Sequence, residues 1–371
     1  MCQTINEMKV AYYFGRLNRG GAETLVADLL MCHENIPFQP VCIYRDEGTL
    51  SEMFHRSGAP MLKLRRRKSW LAYIFRLRRL IKKEQIDILH AQTSLNAIIA
   101  IICTAFTKVK VVTTFHGFGY VNAPKPLRWF IYHGSKRIIF VSEYLRQGYF
   151  SKGDFGTKNR SSVVYNGIDF SKFDKTHPKP QKNDGSEQHP LQLCMVGSFG
   201  EGRNHMFVCE FINQLKTRGI RFHFTFVGAA RPNEQKLYDD CVKYCKEHSL
   251  DEYVTFAGLC NNVPEILGQM DAFVYATRHD SFGIAVIEAI ASGLPTFTND
   301  WCVMQEVTRN GQYAWLYKTG DINSLTELFI DFTKDPEKYY QKARLSATAV
   351  KKEYSIEQHA SNLYNEYSRI L

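Results

Sequence analysis

Two carboxylates, Asp280 and Glu288, bracket Phe282, Gly283, Ile284 and Ala285, where an apolar helical run begins after a strand-like stretch ending at Thr277. Free N–H groups at a helix start, with the helix dipole behind them, make an anion site, and a glycine there lets the backbone approach a ligand closely. A carboxylate further along that helix can accept hydrogen bonds from hydroxyls, as acidic residues do in dinucleotide folds. Gly293 and Pro295 then stop the helix. A cation stands elsewhere: Arg203, in the glycine-bearing stretch 196–205, offers charge and a bidentate fork suited to phosphate. His116 ends an apolar run, and Gly20 and Gly21 open a helical pattern after another. Taken singly, each has a plain alternative: an acidic loop before an amphipathic helix, a solvated surface arginine, a structural histidine, a tight turn. Together they point to an anionic, hydroxyl-bearing ligand.

The elements that must position these residues alternate. Strand-like runs at 8–14, 39–44, 86–91, 109–117, 137–142 and 161–169 are separated by helical stretches, and the pattern restarts at 191–197, 222–228, 253–258, 271–277 and 294–299. Such alternation is the mark of βαβ units and parallel sheets. The chain has 371 residues, more than one core usually holds. Residues 173–190 carry prolines and charges with almost nothing to bury and read as a linker. The predicted organisation is therefore an N-terminal Rossmann-like domain over 1–172, a second over 191–350, and a terminal helix over 351–371 packing back on the first, with a ligand cleft between the domains.

The stretch 278–295 resembles the hallmark of the retaining glycosyltransferases of family 4: an acid, seven residues, a second acid, with Phe282, Gly283, Ala289, Ala291, Gly293 and Pro295 in register. One departure is that Asp280 stands where Glu is usual. The likeness extends along nearly the whole chain, through the glycine loop at 17–23, the T-x-H-G pattern ending in His116 and Gly117, the 164–169 stretch before the linker, the loop at 196–205, and Gly258 with Val263 and Pro264. It implies the GT-B fold: two Rossmann-like domains with parallel sheets facing an interdomain cleft, the first for the acceptor and the second for the donor. It also implies transfer from a UDP- or GDP-sugar to a glycan or lipid-linked glycan with retention at the anomeric carbon, as in surface polysaccharide assembly, and with no cofactor or obligate metal. On that resemblance Arg203 and the N–H groups at Gly283 and Ile284 hold the diphosphate, with Gly20 and Gly21 approaching it. Glu288 takes the ribose, Asp280 and His116 the donor sugar, and the backbone near Leu259 and Val263 the base. Ser198 replaces a cation usual in the family, and Arg16, Arg19 and Arg278 are the candidates to balance the remaining charge. A sugar-nucleotide epimerase on the same fold is the first alternative, and a basic nucleic-acid-binding protein, suggested by the charge, the second.

The formal net charge of +10 asks for an anionic partner. No RNP, helix-turn-helix, zinc or KH signature accompanies it, so no nucleic-acid partner is expected. Asp-x-Asp, Walker A, HExxH and G-x-S-x-G patterns are absent too. Much of the charge sits at 63–83, where lysines and arginines interleave with Trp70, Leu71, Ile74, Phe75, Leu77 and Leu80. That is the pattern of a helix lying on an anionic membrane; equally, the apolar residues can pack on the first sheet while the cations face water. No signal peptide or membrane span is evident, and the ten cysteines are scattered. A cytoplasmic protein with reduced thiols is expected, on its own or held at the inner face of the membrane.

Overall fold

The computed structural model describes residues 8–66, 69–119, 122–153, 158–174, 185–231, 233–260 and 262–371. They form two compact units: the chain up to Asp169 together with Tyr354–Leu371, and Phe170–Glu353. Of the expected linker, residues 175–184 lie outside the described residues.

The first unit runs β1 (Lys9–Arg16), α1 (Gly21–Met31), β2 (Gln39–Asp46), α2 (Ser51–Arg56), β3 (Met61–Lys63), α3 (Trp70–Lys83) and β4 (Ile88–Ala91). It continues through α4 (Ser94–Thr104), β5 (Lys110–Phe115), α5 (Lys125–Gly134), β6 (Arg137–Phe140), α6 (Glu143–Ser151) and β7 (Ser161–Val163). The second unit holds α7 (Ser171–Asp174), β8 (Leu191–Val196), α8 (His205–Thr217), β9 (Phe222–Val227), α9 (Gln235–Glu247), β10 (Val254–Gly258) and α10 (Val263–Gly268). Then come β11 (Ala272–Tyr275), α11 (Ile284–Ala291), β12 (Thr296–Asn299), α12 (Cys302–Val307), β13 (Trp315–Tyr317), α13 (Ile322–Lys334) and α14 (Pro336–Glu353). The last helix, α15 (Ile356–Ser368), belongs to the first unit.

Each unit is a parallel sheet, ordered β3-β2-β1-β4-β5-β6-β7 and β10-β9-β8-β11-β12-β13. β1 lies inside its sheet because Val10, Ala11, Tyr12, Tyr13 and Phe14 are all buried; a strand without polar alternation needs cover on both faces. In both sheets the winding direction reverses beside the first strand of the unit, between β1 and β4 and between β8 and β11. Open α/β sheets bind ligands outside the carboxyl ends of strands at such a point.

α15 joins the first core through Ile356, Ala360, Leu363 and Tyr367, a helical stripe. Tyr367 Oη lies 3.1 Å from Tyr12 Oη and 2.6 Å from His90 Nδ1, and His90 Nε2 lies 2.7 Å from Thr114 Oγ1. His90 therefore ties β4 to β5 and to the terminal helix.

The basic stretch is not one helix. β3 ends at Lys63, Arg67 and Lys68 lie outside the described residues, and α3 begins at Trp70, its first turn capped by Ser69 Oγ accepting from Ala72 N. α3 buries Tyr73, Leu77 and Ile81 but leaves Leu71 and Phe75 each 71% exposed. Among the described residues no helix is long and apolar enough to cross a membrane, and every described cysteine is a free thiol.

Candidate active site

The loop leaving β8 carries Arg203 into a polar cluster. Its Nε donates to Tyr275 Oη at 3.0 Å, and Tyr275 Oη donates to Asp280 Oδ2 at 2.7 Å. Arg203 Nη2 lies 3.9 Å from the same carboxylate oxygen, and Nη1 donates to Ser198 Oγ at 3.3 Å. Tyr275 first and Asp280 after it push the Arg203 pKa up, so the guanidinium stays charged, while burial raises the Tyr275 hydroxyl and keeps it a neutral donor. The main chain fixes the arrangement: Arg203 bridges Thr277, and Gly202 O accepts from Arg278 N, His279 N and Thr277 Oγ1. The loops after β8 and β11 are thus sewn together across the switch point.

Asp280 folds back on its own loop. Oδ1 accepts from Ser281 N at 2.8 Å and Phe282 N at 3.3 Å, the turn-forming contact a short acidic side chain makes best. Both oxygens are engaged inside the unit. Phe282 is only 1% exposed; its side chain is core and does not line a binding surface. Gly283 caps α11 with φ of 89°, in the left-handed region, and a Cβ on it would lie 2.6 Å from Met304 Cε. Glycine is needed there by backbone conformation and by Met304. In α11, Ala285, Val286, Ile287, Ala289, Ile290 and Ala291 are buried, whereas Ile284 and Glu288, one turn apart, are half-buried. The face of α11 that reaches solvent thus carries Glu288 directly behind the helix start.

Other candidates sit at further strand ends. Leu259 follows β10 and is 66% exposed; Val263 opens α10 and is half-buried; Asn261 lies outside the described residues. Gly228 N donates to Gly258 O at 2.8 Å, joining that loop to the one after β9. A cavity of about 630 Å³ is lined by Arg203, Asn204, Arg278 and Gly320 and runs back to Asp240 and Cys241. It touches neither Asp280 nor Glu288, so it adjoins the cluster without being it. In the first unit Gly20 is the extended N-cap of α1 and Gly21 its first residue. His116 follows β5, its Nε2 2.7 Å from Gln92 Oε1. Burial, and then His359, lower the His116 pKa to about 3, so the ring is neutral at physiological pH. No group of three or more histidine, cysteine, aspartate or glutamate side chains that could hold a metal occurs among the described residues.

The family described as glycosyl transferases group 1 matches residues 177–349, and that described as glycosyltransferase family 4 matches residues 19–172. The chain belongs to the group 1, family 4 glycosyltransferases. It is a transferase. This glycosyltransferase is 23% identical over 294 residues to the capsular polysaccharide biosynthesis glycosyltransferase CapH of Staphylococcus aureus, covering 76% of this chain and 78% of that one. It is 24% identical over 274 residues to the UDP-Gal:alpha-D-GlcNAc-diphosphoundecaprenol alpha-1,3-galactosyltransferase of Escherichia coli, covering 70% and 69%. Among solved structures it superposes on Anabaena HepE in complex with UDP and glucose with a TM-score of 0.81 at 14% identity, over 97% of this chain and 99% of that one. The fold is that of two Rossmann-like α/β domains.

Two residues of the glycosyltransferase's cluster escape a reading of the sequence. Tyr275 ends a strand as one apolar residue among several, and nothing in its neighbours marks its hydroxyl as the bridge between Arg203 and Asp280. Arg231 lies in the loop after β9, and its Nε donates to Ser198 Oγ at 3.3 Å. The one available signal was the serine itself, a neutral residue in a loop otherwise suited to phosphate.

Proposed function

We propose that this glycosyltransferase moves a sugar from a UDP- or GDP-sugar to a glycan or lipid-linked glycan in surface polysaccharide assembly, with retention of anomeric configuration. The observation that carries the donor reading lies in the second unit: the solvent-reaching face of α11 presents Glu288 behind the Gly283–Ile284 helix start, and Arg203 is held charged in the adjoining loop. Arg203 and the backbone N–H groups at Gly283 and Ile284 take the diphosphate, Glu288 takes ribose hydroxyls, and the backbone near Leu259 and Val263 takes the base. In transfer the bond from the anomeric carbon to the diphosphate oxygen breaks as the bond to the acceptor oxygen forms. The acceptor proton passes to the leaving phosphate, so no protein general base and no resident metal is required, and fixed positive charge stabilises the diphosphate as it departs. In the first unit we assign His116, neutral by burial, to recognition of the donor sugar, and Gly20 and Gly21 to the phosphates. Asp280, with both oxygens engaged, serves chiefly to hold Arg203 and the loop. The UDP and glucose bound by Anabaena HepE support the donor class; the capsular polysaccharide biosynthesis in one relative's name and the GlcNAc-diphosphoundecaprenol in another's support the acceptor class.

We propose that α3 rests on an anionic membrane, where a lipid-linked acceptor would lie, with Leu71 and Phe75 entering the headgroup region beside the exposed Arg76, Arg79, Lys82 and Lys83.

A thermal-shift panel of nucleotides and sugar nucleotides tests the donor site, because a ligand bound only by the native state raises the melting temperature by mass action. Stabilisation by one nucleoside diphosphate and its sugar conjugates is expected. Glu288→Gln and Arg203→Ala are each expected to lower turnover about a hundredfold or more, the loss typical of a charge contact made in the transition state. Near-normal rates in both variants would refute the assignment.

A further inference from the structure

We infer that Arg231 is a second phosphate-binding cation of the donor site, supplying from the loop after β9 the charge that Ser198 lacks; this rests on reading the loop after β8 as a diphosphate cradle. Ser198 Oγ accepts from Arg203 Nη1 and from Arg231 Nε, each at 3.3 Å. One hydroxyl has lone pairs for both. Two guanidinium groups converging on a neutral oxygen repel each other, and what relieves such a pair is an anion with several acceptor oxygens set between planar forks. The nearby carboxylates are not shared in that way. Asp280 lies 3.9 Å from Arg203, and Glu234 lies 3.7 Å from Arg231 while its other oxygen accepts from Glu201 N at 3.0 Å.

The convergence is built into the backbone. Phe199 N donates to Ala229 O at 3.0 Å, Arg231 N donates to Phe199 O at 3.2 Å, and Phe199 forms a parallel bridge with Ala230. The Phe199 ring is fully buried and stacked on His205 with centroids 3.9 Å apart, which anchors the stitch. A Cβ on Gly197 would lie 2.5 Å from Arg203 Nε, and one on Gly200 would lie 2.7 Å from Glu234 Oε2 and 3.2 Å from both Cδ and Nε of Arg231, so Gly197 leaves room for Arg203 and Gly200 for the Arg231–Glu234 pair. The side chain of Arg231 is 52% exposed, so a ligand can reach it. Arg278, a cation singled out from the sequence, faces the Asn204 amide instead; with that amide turned so that its oxygen points to the guanidinium, the oxygen lies 3.2 Å from both Nε and Nη2.

The test is calorimetric titration of the full chain with UDP and UMP, and in parallel GDP and GMP, for the native protein, Arg203→Ala, Arg231→Ala, Arg231→Gln and the double variant Arg231→Ala/Ser198→Arg. A second cation acts on the outer phosphate, so both Arg231 variants are expected to bind the diphosphate at least tenfold more weakly and to lower its preference over the monophosphate at least fivefold. The salt dependence of diphosphate binding should become shallower, and the arginine placed at 198 should recover most of the lost preference. Arg231→Gln keeps the length of the side chain and guards against a folding defect. If the preference is unchanged in both Arg231 variants but lost in Arg203→Ala, Arg231 has no such role and the cradle stands. If Arg203→Ala also leaves it unchanged, the cradle reading itself falls.

Discussion

Tyr275 shows what a single hydroxyl can decide. It receives a hydrogen bond from Arg203 Nε and gives one to Asp280 Oδ2, so a cation and an anion that are 3.9 Å apart are held by a neutral group between them. The tyrosine hydroxyl thereby spans the distance between Arg203 Nε and the Asp280 carboxylate. Tyr275→Phe keeps the ring and removes both bonds. The expected result is a stability loss of about 1–3 kcal/mol, the usual cost of leaving buried polar partners unsatisfied, together with three- to tenfold weaker binding of the nucleoside diphosphate as Arg203 loses its fixed position. Chemical denaturation and calorimetric titration measure the two effects separately. A variant that loses stability yet binds the diphosphate as before would make Tyr275 a residue of the fold alone.

The elements were legible where their pattern was long, and less so where tertiary contacts decided. The alternation of apolar strands and helices foretold both sheets, but β3 and β13, of three residues each, are too short to show a period and exist because a neighbouring strand offers an open edge. The expected strand at 161–169 stops at Val163; beyond it the chain continues without regular structure to Ile168, which pairs with Ser355. At the site, the spacing of Asp280, Gly283 and Glu288 was readable because it is local to one loop and one helix. The meeting of Arg203, Tyr275 and Arg231 was not, since it joins three loops that only the sheet brings together. α3 carries a pair of apolar stripes, one buried and one exposed, and only the buried one answers to the packing read from the sequence. Its Tyr73-Leu77-Ile81 stripe is core, and its Leu71-Phe75 pair has no cover within the unit. Co-sedimentation with vesicles containing about a third anionic lipid is expected to capture the protein at low salt. Leu71→Ser/Phe75→Ser should weaken capture severalfold without lowering the melting temperature, because the pair is exposed already. Capture by neutral vesicles to the same extent, or no capture by anionic ones, would end the membrane reading.

At the scale of the whole molecule, buried histidines set how the fold answers to acid. In the first unit His116 is lowered to about 3 and His359 to about 4, each chiefly by burial, and burial with His116 and His359 nearby also lowers His90. In the second unit burial and then Arg203 lower His205 to about 4. Each is neutral in the native state, while the unfolded chain takes up a proton near pH 6.5. Between pH 6.5 and about 4 the unfolded state therefore binds more protons than the native one, and stability falls as pH falls, by about 1.4 kcal/mol per pH unit for each such histidine. Below about 4 the native His359 and His205 begin to protonate as well, and below about 3 His116, so their slopes fade. Three of these histidines lie in the first unit and one in the second, so acid should loosen the first unit first, beginning in the tyrosine and histidine cluster that fastens α15. Hydrogen exchange read by mass spectrometry, corrected for the intrinsic pH dependence of exchange, should show peptides of β4, β5 and α15 losing protection between pH 6.5 and 4.5 faster than those of β8, β9 and β11. Equal loss in the two units would show that the surface charges, with a formal net value of +10, govern acid stability in place of the buried rings.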